Sequence, residues 1–226
     1  MSAALYFGDV VRDAPTLAAR GLRLAGGLRA LGLREGDVVA VLLRNDPVYA
    51  DVMHACRIAG LYYCPLNWHF TPSELAVILA DCGARVVVGG ADLLDAAAGV
   101  LPAGATVLSA GGGGAFADYD AWLATQPEYD GPAVSPRGLM GYTSGTTGRP
   151  KGVRSASKGP PPIESMAMMG AGLSAMLAIP QGGVTLVCGP VYHSAQWAFS
   201  YLPLIAGSTV VMRHKFDPAE LLELID

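Results

Sequence analysis

The segment richest in chemistry reads Tyr142-Thr143-Ser144-Gly145-Thr146-Thr147-Gly148-Arg149-Pro150-Lys151-Gly152. Three glycines and four small hydroxyl residues fall within ten positions. Glycine lets a backbone approach a ligand closely and take positive φ. Successive N–H groups in such a turn form an anion-binding concavity. Thr143, Ser144, Thr146 and Thr147 add hydroxyl donors, and Lys151 adds a mobile point charge suited to phosphate oxygens. Together these make a cradle for a polyphosphate. The spacing is not G-x-x-x-x-G-K-[ST], because the partner glycine of Gly145 would fall at Pro150, and no G-x-G-x-x-G occurs there. A second candidate is His193, in Pro190-Val191-Tyr192-His193. It follows a strand-like run and precedes a helix-like one, at the carboxyl end where α/β sheets keep ligand sites. On the residues alone, it reads as a histidine that caps or packs locally.

The elements that must position these residues alternate between two periods. Leu17, Leu24, Leu28 and Leu31 follow helical spacing with Arg20, Arg23 and Arg29 between them, and Gly32 ends the run. Asp37 to Leu43 is nearly continuously apolar and suits a strand buried on both faces. Pro47 opens a helix that Gly60 stops, and Leu61 to Leu66 is another short apolar run. Thr71-Pro72-Ser73-Glu74 has the form of a capping box, for a helix ending at Cys82-Gly83. Strands follow at 85–88 and 106–108, with a short helix at 92–98 between them. Leu139 to Thr143 is a strand leading into the glycine-rich loop. Beyond the exposed turn Lys158 to Pro162, a methionine-rich helix spans Ile163 to Ala178. A strand at Val184 to Cys188, a helix at Ala195 to Ile205, a strand at Thr209 to Met212 and a helix at Pro218 to Ile225 complete the pattern. The alternation predicts layered α/β structure with mainly parallel sheets.

Composition bounds the function. The chain has 226 residues, 52% hydrophobic, enough for a sizeable core, and its 15% of charged residues is below the usual value of about 25%. Net charge is −4, and the densest basic stretch (Arg149, Lys151, Arg154, Lys158) sits beside the loop, which argues against a nucleic-acid surface. Cys56, Cys64, Cys82 and Cys188 are scattered without metal-ligand spacing, and are expected to be buried thiols. No metal ligands are expected. The start lacks the pattern of a secretory leader, and alanine-rich stretches are broken before membrane-spanning length. A cytoplasmic protein with no integral membrane segment is the expectation.

Tyr142 to Gly152 resembles the phosphate-loop signature of the adenylate-forming superfamily, which includes acyl-CoA and aryl-CoA ligases. Arg44-Asn45-Asp46-Pro47, Ala59 to Asn67, Thr71 to Leu75 and Pro190 to His193 resemble further segments of that superfamily, in order, over nearly the whole chain. The resemblance implies the N-terminal part of an acid–CoA ligase: ATP and a small carboxylic acid give an acyl-adenylate and pyrophosphate, and coenzyme A then displaces AMP. It implies that Thr143, Ser144, Gly145, Thr146, Thr147, Gly148 and Lys151 hold the β- and γ-phosphates of ATP, with Mg²⁺ helping to neutralise the leaving group. It places His193 at the edge of the acyl pocket as the catalytic residue, with Tyr192 and Trp197 as lining or core. It also implies one α/β subdomain over about 60–180. The strand near residue 40 and those after Val184 would begin a second, made of 1–59 with 181–226.

The sequence departs from that pattern at Arg154 to Pro162, where a Thr-His-x-Asn-like segment is usual, and at His69, where arginine is frequent. The Tyr-Gly-x-Thr-Glu segment, the ribose-binding aspartate and the mobile C-terminal domain with its lysine do not occur in these 226 residues. The expectation is therefore a chain that binds ATP weakly, makes no acyl-CoA alone and self-associates through apolar surface. The alternatives are a non-catalytic phosphate-binding module or subunit, and an adenylation domain of another type. The acid itself is not legible. Met166, Met168, Met169 and Met176 offer an adaptable apolar surface, with core packing the plainer explanation of their spacing.

Overall fold

A computed structural model describes residues 3–132, 134–143, 151–153 and 164–225. In chain order the elements are β1 (Ala4–Phe7), β2 (Val10–Asp13), α1 (Ala14–Ala30), β3 (Val38–Leu42), α2 (Val48–Ala59), β4 (Tyr62–Pro65) and α3 (Pro72–Cys82). Next come β5 (Val86–Gly90), α4 (Ala91–Ala97), β6 (Thr106–Ala110), β7 (Ala117–Asp118), α5 (Tyr119–Ala124), β8 (Gly138–Leu139), β9 (Gly141–Thr143) and β10 (Lys151–Val153). The last are α6 (Ser165–Met176), β11 (Val184–Val187), α7 (Ser194–Ile205), β12 (Thr209–Met212) and α8 (Pro218–Ile225).

Six strands form a parallel sheet in the order β7-β6-β5-β3-β4-β8. Its centre is the apolar run Val38–Leu42, all five residues of which are buried. Alternate side chains serve the two faces: Val39 and Val41 join the cluster that includes Leu24, Leu28, Val52 and Ala55, and Val38, Ala40 and Leu42 join Leu75, Ile78 and Leu79. With both faces covered, the strand reads as a continuous apolar run rather than an alternating one. The strand expected to begin the second sheet is thus the middle of the first.

The second sheet has four strands, β11-β12-β1-β2, parallel except for the antiparallel β1–β2 pair. The sequence reading placed no strands at Ala4–Phe7 and Val10–Asp13. β1 is recognisable through its partner β12, in the register Leu5↔Val210, some two hundred residues away. A third, two-stranded ribbon pairs β9 with β10.

Local chemistry sets the helix ends. In α3 the Thr71 hydroxyl accepts from the Glu74 N–H at 3.4 Å, and the Glu74 carboxylate accepts from the Thr71 N–H at 2.8 Å, the reciprocal box that the sequence predicts. Gly60 and Gly83 close α2 and α3 in the left-handed region, at φ 65° and 64°. One buried charge ties four elements together. Asp51 of α2 is fully buried and accepts from Arg12 at 2.7 Å, Arg20 at 2.9 Å and the Tyr119 hydroxyl at 3.1 Å, joining β2, α1 and α5 to α2.

Two smaller expectations are corrected. Of the methionines on α6, Met166 is buried, but Met168, Met169 and Met176 are exposed, because α6 has apolar residues all round and one packed side. Cys56, Cys64 and Cys82 are buried thiols, whereas Cys188 is exposed just past the end of β11. The turn Lys158 to Pro162 and the start of the predicted helix at Ile163 lie outside the described residues.

Candidate functional site

A cavity of about 540 Å³ opens at the carboxyl end of β4. Its walls come from four places. Pro65, Leu66, Asn67 and Phe70 leave the end of β4, and Ile78 reaches in from α3. Leu139, Gly141, Tyr142 and Val153 come from β8 and the β9–β10 ribbon, and Tyr192, His193 and Ser194 from the connection between β11 and α7. Backbone pairing fixes the first and third walls to each other. Tyr63 pairs with Leu139, and the Met140 N–H donates to the Tyr63 carbonyl at 2.9 Å. Leu66 is held in turn by its N–H donating to Val41 at 2.8 Å. The result is a mostly apolar cleft with a few polar groups at its rim, the usual build of a small-molecule site.

His193 takes the N-cap position of α7, with extended backbone (φ −78°, ψ 136°) and no capping bond from its side chain. Its N–H donates to the Pro190 carbonyl at 3.1 Å, and its carbonyl accepts from Trp197 at 3.0 Å. The imidazole is exposed and lies 4.4 Å, centroid to centroid, from the Tyr192 ring. An imidazole free of capping duty at the mouth of a cleft is available to a ligand. The first turn of α7 starts at the same rim, and the positive end of a helix favours an anion. Of the two roles left open for Tyr192, lining or core, the structure shows lining. Trp197 does not line the cleft, and packs against the Tyr63 ring in the core instead.

Tyr142 is the group here that sequence reasoning passed over. Its hydroxyl donates to the Asp81 carboxylate of α3 at 2.5 Å. Burial and that bond push the phenol's pKa up, so it remains a neutral donor. The tyrosine anchors β9, the strand that leads into the glycine-threonine segment, to α3. Arg44, also unassigned before, lies 5.2 Å over the Trp68 ring and pairs with Asp92 at 2.9 Å, beside the ends of β3, β4 and β5. Trp68 in turn stacks on His69 at 3.5 Å.

Of the predicted phosphate-binding residues, Ser144, Gly145, Thr146, Thr147 and Gly148 lie outside the described residues. Thr143 and Lys151 are described in backbone, as the facing pair that closes the β9–β10 ribbon. The two ends of the loop are therefore adjacent, and both strands of the ribbon border the cleft through Tyr142 and Val153. Among the described residues no group of three or more His, Cys, Asp or Glu could hold a metal ion, and no helix is long and apolar enough to cross a membrane.

Comparison with known proteins agrees with this fold. The family model "AMP-binding enzyme" matches residues 15–226. A feruloyl-CoA synthase of Amycolatopsis sp. is 32% identical over 229 residues, covering 99% of this chain and 43% of the relative. The chain thus spans less than half the length of the curated relative it matches. Among solved structures, the inhibitor-bound N-terminal domain of FACL13 from Mycobacterium tuberculosis superposes with a TM-score of 0.81 at 25% identity, over 99% of this chain and 56% of that one. The O-succinylbenzoate coenzyme A synthetase of Bacillus subtilis, in complex with ATP and magnesium ion, gives a TM-score of 0.76 at 23% identity, over 99% and 57%.

Proposed function

Because the chain belongs to the AMP-binding enzyme family, we propose that it supplies the acid pocket and the phosphate loop of an ATP-dependent acid–CoA ligase. One observation carries the proposal: a single cleft is bordered both by the ribbon that closes the glycine-threonine loop and by Tyr192-His193 at the head of α7. Segments fifty residues apart in sequence meet where a carboxylate and a polyphosphate would have to meet to react.

In this reading the apolar tail of the acid lies against Leu66, Phe70, Ile78, Leu139 and Val153. Its carboxylate points to the rim, toward His193 and the first turn of α7, where positive potential holds it. One carboxylate oxygen attacks the α-phosphorus of ATP, the α–β bridging P–O bond breaks, and pyrophosphate leaves. Thr143, Ser144, Gly145, Thr146, Thr147, Gly148 and Lys151 act on that departure by holding the β- and γ-phosphates as charge moves onto them. ATP arrives as its Mg²⁺ complex, and no described residue is assigned to the ion. The thiol of coenzyme A then attacks the acyl carbon and displaces AMP. No described residue is assigned to this second step, and the 226-residue chain is proposed to be inactive alone. The feruloyl-CoA synthase relative and the aromatic residues Phe70, Tyr142 and Tyr192 around the cleft favour an aryl acid.

The test is a titration of the isotopically labelled chain with ferulate, followed by NMR. Shifts concentrated at Leu66, Tyr142, Tyr192 and His193, weakened in His193→Ala, are expected. Shifts absent from these residues would remove the acid-pocket assignment.

A further inference from the structure

Asn45 sits in the connection from β3 to α2, at the carboxyl end of the central strand of the six-stranded sheet. It is 6% exposed. Its Nδ2 donates to the carbonyls of Gly189 at 3.1 Å and Arg213 at 3.0 Å, and its Oδ1 accepts from the Val191 N–H at 2.9 Å. Gly189 and Val191 belong to the β11–α7 connection that carries Tyr192 and His193, and Arg213 directly follows β12. A side chain rooted in one sheet thus clasps the carboxyl ends of two adjacent strands of the other.

The bonding pattern admits an amide and little else. Two carbonyls require two donors, and a backbone N–H requires an acceptor, which also fixes which end of the amide is which. Aspartate would set a carboxylate against two carbonyl oxygens. Alanine would leave two carbonyls and an N–H unpaired in a buried place. Charge, catalysis and core filling all fail to explain an asparagine here, whereas the geometry of the connection does.

We propose that Asn45 is a positioning residue for the Tyr192-His193 wall of the cleft. The cleft has one wall on each side of this clasp: Leu66 and Asn67 leave the six-stranded sheet, and Tyr192 and His193 leave the four-stranded one. By holding Val191, which is itself buried, Asn45 fixes the root of the turn in which His193 bonds back to Pro190. It therefore sets the spacing between the two walls and the aim of the imidazole. Asn45 touches no ligand in this role. The inference rests on the acid-pocket reading for its consequence in binding, but its geometric content is independent of that reading.

The experiment uses the 226-residue chain as wild type, Asn45→Asp, Asn45→Ala and Leu28→Ala. Leu28 is a core residue of α1 that lines no part of the cleft, so its variant controls for lost stability. Both Asn45 variants should displace the Tyr192 and His193 ring resonances and raise the Kd for ferulate by about tenfold, the loss of about one buried hydrogen bond's discrimination. Leu28→Ala should lower Tm at least as much while leaving those resonances and the Kd in place. Unmoved His193 and Tyr192 signals in the Asn45 variants, or equal movement in Leu28→Ala, would overturn the proposal. If the Asn45 variants do not fold, amide exchange in the wild type decides. Protection of the Val191 N–H at the level of Val39 and Val41 upholds the clasp, and fast exchange overturns it. Displaced His193 signals in a chain that binds no acid would uphold the clasp and sink the acid pocket alone.

Discussion

His54 makes stability depend on pH in a way that can be calculated. It lies on α2, edge-on to the Tyr201 ring at 5.3 Å, with Gly21 of α1 facing its Cβ. Burial, with the nearby Arg57 cation adding to it, lowers its pKa from 6.5 to about 4. A depressed folded-state pKa means that the unfolded chain takes up the proton first. Stability is therefore whole above about 6.5 and falls as pH drops toward 4. With about 1.36 kcal/mol per pKa unit, the loss between pH 8 and pH 5 comes to about 2 kcal/mol from this one group. Urea denaturation of wild type and His54→Gln at the two pH values isolates it. The other three histidines, His69, His193 and His214, are exposed and common to both proteins. Wild type should lose about 2 kcal/mol more than the variant over that interval. Equal losses would show that His54 is not held neutral by burial.

Substitutions at three further positions test the packing of the fold. Asp51→Ala removes the carboxylate that Arg12 pairs with and one of the two that Arg20 holds, and should cost about 3–5 kcal/mol in chemical denaturation, with Asp51→Asn costing less. Thr71→Ala removes one half of the capping box and should lower stability by about 1 kcal/mol, measurable as a lower urea midpoint at unchanged slope. Gly26→Ala would put a Cβ 2.1 Å from the Pro127 carbonyl oxygen, so α1 must move from the segment after α5; the expected cost is about 1–3 kcal/mol, and a variant as stable as wild type would contradict the packing.

Some of this was legible in the sequence because the signals are local. Thr71 and Glu74 report a helix start three residues apart, and Gly60 and Gly83 report two helix ends because glycine takes the left-handed conformation found there without strain. Val38–Leu42 was readable as a strand covered on both faces, but not as the centre of its sheet. Pairing order depends on β4 and β5 arriving on either side, and no pattern within five residues encodes that. β1 was missed for the same reason, since four residues near the start carry no period and owe their structure to β12. At the site, His193 and Tyr192 were legible as a motif. Leu66, Phe70 and Ile78 were not, because an apolar residue lining a cleft has the same chemistry as one filling a core. Asn45 was visible as part of a resembling segment, but its three partners lie 144 to 168 positions away.

The proposed role of Thr143 to Lys151 is to hold the phosphates of ATP. Calorimetric titration of ATP–Mg²⁺ into wild type and Lys151→Ala tests it most directly. Weak one-to-one binding by wild type, lost or markedly reduced in the variant at unchanged Tm, is the predicted result. Binding of equal strength by both proteins, or by neither, would contradict the claim.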